Sequence, residues 1–312
     1  MPAARATPPM INRLPPVRGR LTPGAALGPL TWFRTGGAAE VLFRPADVED
    51  LAGFLGDLDP AVAVTVIGAG SNMIVRDGGI EGIVIRLPPA FARITVEADG
   101  IVAGGAALDL TVAETAADAG RDGLAFLSGI PGTIGGAVAM NAGAYGGETG
   151  AVTDWVELVT REGWCGRRDD IAFAYRRSDM PEGAIVTAAR LLAPAGDPAA
   201  IAERMAAIRT AREATQPVRA RTGGSTFKNP DQGPKAWELI DRAGCRGLTR
   251  GAAQVSEKHC NFLLNLGGAT AADIEGLGEE VRRRVLAETG VMLEWEIRRI
   301  GRPLPGVSEA GR

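Results

Sequence analysis

Seven glycines and no charged side chain fall within GIPGTIGGAVAMNAGAYGG, residues 129–147. Such a run offers a ligand its main chain rather than its side chains, because glycine lets a bulky group approach backbone N–H donors closely. A second run, Gly68, Ala69, Gly70, Ser71 and Asn72, follows directly on an apolar stretch and has the small residues that let amides face a pyrophosphate. Two such turns on separate strands could hold the two ends of an extended dinucleotide. Neither matches a Rossmann or P-loop fingerprint: Met73 stands where GxGxxG needs its third glycine, and no GxxxxGK[ST] occurs. The plain alternative is that both runs are tight turns packed in a core.

Other candidates for chemistry are few. His259 is the sole histidine, and Cys165, Cys245 and Cys260 have the spacing of neither a disulfide framework nor a zinc site. A multi-histidine metal centre is excluded, no metal is expected, and redox or covalent work falls to a cofactor. Ser225 on its own reads as a turn serine, since a hydroxyl is a poor acid unless neighbours stabilise its alkoxide. Lys228 reads as surface, and Lys258 with His259 reads as the approach to a buried strand. Glu294 and Glu296 alternate onto one face of a terminal strand.

The charge balance of 34 basic against 37 acidic residues, net −3, with 5% aromatics, argues against a nucleic-acid surface. No apolar run reaches the length of a membrane span and no signal-peptide core is evident, so a cytoplasmic protein is expected. Residues 1–21 are rich in Pro and Arg and read as a loosely ordered tail.

Around these residues the periodicities predict the scaffold. WFRTGGAAEVLFRP (32–45) reads as a hairpin or paired strands about its Thr-Gly-Gly turn. Val48, Leu51, Phe54, Leu55 and Leu58 recur at helical spacing, and 63–67 and 83–87 read as strands. Two short strands flank Asp99-Gly100, a helix runs over 109–120, and WVELVT and AIVTAARLLA are strands with FAYRRSDM between them. Asp197-Pro198 starts a helix that ends at Gln216-Pro217, where a domain boundary is expected. Beyond it lie the helix AWELIDRAG, the strand NFLLNL, a helix opened by Thr270 and Asp273 and closed at Gly290, and the final strand MLEWEIRRIG.

The strings WFRTGGAAE, GAGSNMIVRDGGIEGIVI, GLAFLSGIPGTIGGAVAMNAGAYGGE, YRRSDM, GGSTFKNP, AGCRG, VSEKHCNFLLN and LEWEIRRIG, in this order and spacing, resemble the UDP-N-acetylenolpyruvoylglucosamine reductase family over nearly the whole chain. The resemblance implies an α+β fold. An FAD-binding region of the vanillyl-alcohol-oxidase (PCMH) type, 22–217, would divide into two subdomains near 88. A smaller α/β substrate-binding domain would span 218–302, with tails at 1–21 and 303–312. It implies non-covalent FAD and NADPH as co-substrate, since covalent relatives in this fold use a histidine and His259 lies outside the flavin region. The cofactor bed would comprise Gly68, Ala69, Gly70, Ser71 and Asn72 against the pyrophosphate, with Gly129, Pro131, Gly132, Gly135, Gly136, Ala142 and Gly143 bordering the flavin.

The implied reaction is reduction of UDP-N-acetylglucosamine enolpyruvate to UDP-N-acetylmuramate for peptidoglycan. Hydride goes from reduced flavin to the enolpyruvyl methylene, Ser225 donates the proton, and Arg176 and Glu296 stabilise the enolate. Tyr175, Lys228, Asn229 and His259 would bind substrate. Tyr145 and Tyr175 are the only tyrosines and both lie inside motifs, so the chain resembles the shorter subtype that lacks a tyrosine-bearing loop, and no residue is assigned to the uridine end. A monomer is expected. The competing readings are an FAD-dependent oxidase of another small substrate and a non-catalytic nucleotide-sugar-binding module.

Overall fold

The computed structural model describes residues 10–304, and the outer ends of both expected tails lie outside the described residues. The first sheet has the order Arg20–Ala26, Ala38–Arg44, Ile80–Ile85, Val64–Val66, antiparallel at its first pair and parallel thereafter. The helix Val48–Asp57, capped by the Asp47 side chain, lays Leu51, Phe54 and Leu55 on Val41 and Phe43. The strand Ala38–Arg44 pairs with the upstream Arg20–Ala26, not across the expected Thr-Gly-Gly turn. That turn is engaged elsewhere: Gly37 N donates to Arg76 O at 3.2 Å, while residues 28–30 form a 3₁₀ turn. The segment expected as a loose tail also differs from Met10 onward. Met10, Ile11, Leu14 and Val17 pack on this core, and the amides of Arg18 and Gly19 donate to the Asp50 carboxylate at 2.7 and 2.9 Å.

The second sheet is antiparallel throughout, in the order Cys165–Arg168, Thr153–Val159, Ile185–Leu192, Gly100–Gly104, Ile94–Val96. Residues of the helices Asp109–Asp118 and Ile134–Met140 share its core. The latter helix lies inside the long glycine run: Ile134, Ala137 and Val138 form one buried stripe, and Asn141 ends it in the left-handed conformation. Pro198–Thr215 follows, with the Asp197 carboxylate accepting from Ala199 N.

A third sheet, Thr222–Ser225, Phe262–Asn265, Ala253–Val255, Thr249–Arg250, packs with the helices Ala236–Arg242 and Ala271–Thr289 around a separate core. Thr270 and Asp273 form the expected capping box and Gly290 the left-handed stop. The chain then returns to the first unit, where Arg298–Ile300 pairs in parallel with Met73–Val75. Only these three residues of the expected last strand are regular. Residues 294–297 form no regular strand and are held to 226–228 by one bridge, Phe227 to Trp295, and the backbone bonds around it. The chain therefore carries Glu296 back to the exit of the 68–72 turn.

Candidate active site

The two glycine runs face each other. A Cβ on Gly68 would come within 2.7 Å of Thr133 Oγ1, and Asn72 Nδ2 lies 3.1 Å from Met140 Sδ. The amides of residues 68–72 donate to no acceptor among the described residues, although the Gly70 and Asn72 carbonyls accept from Trp32 and Arg298. Five consecutive uncommitted N–H groups on a turn opposite a free threonine hydroxyl suit a diphosphate, so the residues present fit the pyrophosphate of FAD. The longer run serves packing as well. A Cβ at Gly132 would sit 2.6 Å from Asp109 Oδ2, at Gly129 2.8 Å from the Tyr145 ring, and at Gly135 3.0 Å from Gly105 O. Gly136 is looser, with Thr133 Oγ1 at 3.7 Å. Ala142 has its amide on Ala137 O and its carbonyl on Thr149. Most of these glycines are thus closed in by protein, as the core-turn reading expects.

Arg176 occupies the loop of a tiny hairpin, Phe173–Ala174 with Arg177–Ser178, at φ 55°, a left-handed conformation unusual for a residue with a side chain. Its Nε donates to Glu296 Oε1 at 2.8 Å and its Nη2 to Gly143 O at 3.3 Å. Residues 120 positions apart are thereby joined at the end of the long glycine run. Burial pushes the Glu296 carboxyl above its ordinary value, and the Arg176 charge opposes that shift. Glu294, two residues earlier, has its side chain 75% exposed and reaches Lys228 at 3.3 Å. Ser225 ends the strand Thr222–Ser225, opposite Phe262. The next carbonyl, of Thr226, accepts from both Glu296 N at 2.8 Å and Ile297 N at 3.3 Å, so Ser225 lies one residue from the Glu296 backbone.

The residues expected to bind substrate are more dispersed. Tyr175 is exposed and lies under the Arg176 guanidinium, 4.9 Å from Cζ to the ring centroid. Asn229 Oδ1 accepts from Ala236 N at 3.1 Å, so part of its amide is committed to starting a helix. His259 stacks edge-on with Phe262 and Trp237; burial pushes its pKa down, and its Nδ1 accepts from Asn261 N, which puts the proton on Nε2. Beside it, Lys258 helps line a cavity of about 550 Å³ with Glu213, Gln216, Pro217, Val218 and Arg219.

Sequence reasoning missed Thr133 and Asn141, which lie in the glycine run but draw no attention as side chains. It also missed the Trp295 indole, which donates to Glu279 at 2.8 Å while Arg299 covers its ring. Among the described residues no cluster of His, Cys, Asp and Glu could hold a metal, and no helix is long and apolar enough to cross a membrane.

The α+β architecture, with a diphosphate-suited glycine turn and a half-buried Arg–Glu pair, fits an FAD-binding oxidoreductase. Residues 39–165 match the family model described as "FAD binding domain", and 216–300 match that described as "UDP-N-acetylenolpyruvoylglucosamine reductase, C-terminal domain". A UDP-N-acetylenolpyruvoylglucosamine reductase of Acidiphilium cryptum is 66% identical over 95% of this chain and 96% of its own length. That of Gluconobacter oxydans is 60% identical over 93% and 95%. The crystal structure of the Thermus caldophilus reductase superposes with TM-score 0.78 at 35% identity, covering 91% of this chain and 99% of that one. The chain belongs to the UDP-N-acetylenolpyruvoylglucosamine reductase family.

Proposed function

We propose that the chain reduces UDP-N-acetylglucosamine enolpyruvate with Arg176, Glu296 and Ser225 as its catalytic residues. Residues 22–217 form the FAD-binding region and 218–302 the substrate unit. When bound, FAD supplies the hydride, drawn from NADPH. Residues 68–72 hold its diphosphate through their free amides, and the main chain of 129–143 borders its ring.

Hydride arriving at the enolpyruvyl methylene drives charge onto the carboxylate, so cations and donors must wait there. Arg176 gives one N–H to Glu296 and one to Gly143 O, and its remaining N–H groups form a planar fork for the substrate carboxylate. Glu296 fixes that fork in orientation and lies near the intermediate. Ser225 Oγ makes no hydrogen bond among the described residues and stands ready to give its proton to the adjacent carbon. Lys228 and Asn229 grip the diphosphate of the nucleotide sugar, with Tyr175 and His259 at the edges of the site.

The observation that carries this reading is the 2.8 Å contact of Arg176 with Glu296 at the end of the glycine bed. Anaerobic half-reactions test it. With Ser225→Ala, NADPH should bleach the flavin at the normal rate, while reoxidation by the enolpyruvyl substrate slows by about a hundred- to ten-thousand-fold. Reoxidation at the wild-type rate would remove Ser225 from the mechanism. We place the enzyme as a monomer in the reducing cytoplasm, which three free cysteines suit.

A further inference from the structure

Arg176 and Glu296 come from different parts of the fold, yet both are tied, the latter through Asn72, to one short segment, residues 139–141, where the helix Ile134–Met140 ends. Asn141 is 1% exposed and left-handed, at φ 43° and ψ 57°. Its Nδ2 donates to Ala174 O at 3.0 Å, two residues before Arg176, and its Oδ1 accepts from Gly150 N at 2.8 Å. On the other arm of the same hairpin, Ser178 Oγ donates to Ala139 O at 3.0 Å. From the opposite side, Asn72 Nδ2 lies 3.1 Å from Met140 Sδ and donates to Glu296 O at 3.3 Å.

The hairpin has two residues in each strand and one further rung, Ala172 with Asp179, too few to hold its own loop. The left-handed backbone of Arg176 therefore persists because its surroundings impose it. Beside the bonds of Arg176 itself to Glu296 and Gly143 O, its tethers are the Asn141 amide and the Ser178 hydroxyl, one on each arm.

We infer that Asn141 is a positioning residue for this reaction: by holding Ala174 O it sets the Tyr175–Arg176 turn, and with it the aim of the Arg176 guanidinium at Glu296 and the substrate carboxylate. The inference rests on the reading of Arg176 as the carboxylate clamp. Asn141 reaches no ligand itself, since its side chain is buried with both ends bonded inside the protein. A left-handed helix stop does not by itself require an amide, because glycine serves that purpose equally well. What glycine cannot do is bond Ala174.

Three variants of the holoenzyme separate the roles, compared in anaerobic stopped flow with wild type and Arg176→Ala. Asn141→Gly keeps the left-handed backbone and loses both side-chain bonds. Asn141→Asp keeps the acceptor for Gly150 and, above the pKa that burial raises, sets a carboxylate oxygen against Ala174 O in place of the donor. Ser178→Ala removes the second tether. All three should retain FAD and be bleached by NADPH within about twofold of the wild-type rate. Reoxidation by the enolpyruvyl substrate should slow tenfold or more in both Asn141 variants and less in Ser178→Ala, with kcat falling more than KM rises.

Wild-type reoxidation in both Asn141 variants beside a slow Arg176→Ala overturns the inference and leaves the clamp standing. Normal reoxidation in Arg176→Ala removes the clamp itself, and this inference with it. If Asn141→Gly loses FAD, the other two variants decide: both half-reactions falling in parallel there would mark Asn141 as a structural cap only.

Discussion

Arg176 and Glu296 pair with side chains 21% and 15% exposed, so water screens them weakly and the guanidinium acts strongly on the carboxyl. Burial raises the Glu296 pKa and Arg176 lowers it, so the acid limb of the reoxidation rate should lie above the ordinary carboxylate range. Arg176→Ala removes the group that pulls it down and should move that limb further up, as read from pH profiles of flavin reoxidation. A limb that stays put would mean that Glu296 does not titrate in this step. Asp109 poses the opposite problem. It is 0% exposed, neither oxygen has a hydrogen-bond partner among the described residues, and burial raises its pKa well above the usual value. A carboxyl whose folded pKa is raised supports the fold while protonated, and that contribution disappears as pH rises through the folded pKa. Asp109→Asn should therefore stabilise the protein at neutral pH and change little near pH 3, as thermal melts at the two pH values would show; equal gains at both would contradict the sign. The sequence shows Asp109 only as an acid in the first turn of a helix, because its burial depends on Gly132 approaching from a distant loop. The Arg176–Glu296 contact was hidden for the same reason. Each residue can be named from its motif, but nothing local says that they touch.

Whole elements were far more legible where their signals are local. The Asp197 cap, the Thr270–Asp273 capping box and the Gly290 stop appear where sequence spacing puts them, since each depends on residues within one turn. Pairing was harder to read. Alternation in Ala38–Arg44 announces a strand but not its partner, and the upstream strand won because the intervening turn is bonded to Arg76. Nor does the glycine run itself say which of its glycines are pressed against protein, since the neighbours come from distant residues such as Asp109 and Gly105. At Gly68 the space that a side chain would take is held by Thr133, between the two runs. Gly68→Ala forces that contact apart, an overpacking of about 1–2 kcal/mol, and should weaken FAD binding roughly tenfold. Fluorescence titration of the apoprotein measures this, and unchanged affinity would detach the 68–72 turn from the cofactor.

At the scale of the whole molecule, the third unit is fastened to the first at several points along residues 72–77. Arg298–Ile300 pairs with Met73–Val75, immediately after the free amides of 68–72. Arg76 makes a two-pronged contact with Glu275, at 2.7 and 3.0 Å, and Glu275 also meets Arg299 at 3.2 Å. The two Asp77 oxygens accept from Ala271 N at 2.9 Å and Ala272 N at 3.0 Å, so a residue of the first unit caps the helix Ala271–Thr289 of the third. The 68–72 turn and the third unit thus share one backbone segment, which offers a route by which steadying one would steady the other. Linkage requires the effect to run both ways. Asp77→Ala removes the cap at a cost of about 1 kcal/mol and loosens the docking of the third unit. If the coupling passes through residues 72–77, the same change should weaken FAD by up to about fivefold although Asp77 lies outside the cofactor bed. Melting with and without FAD, together with FAD titration, reads both quantities. A lower melting temperature with FAD affinity unchanged would mean that the units are joined mechanically but bind their ligands independently.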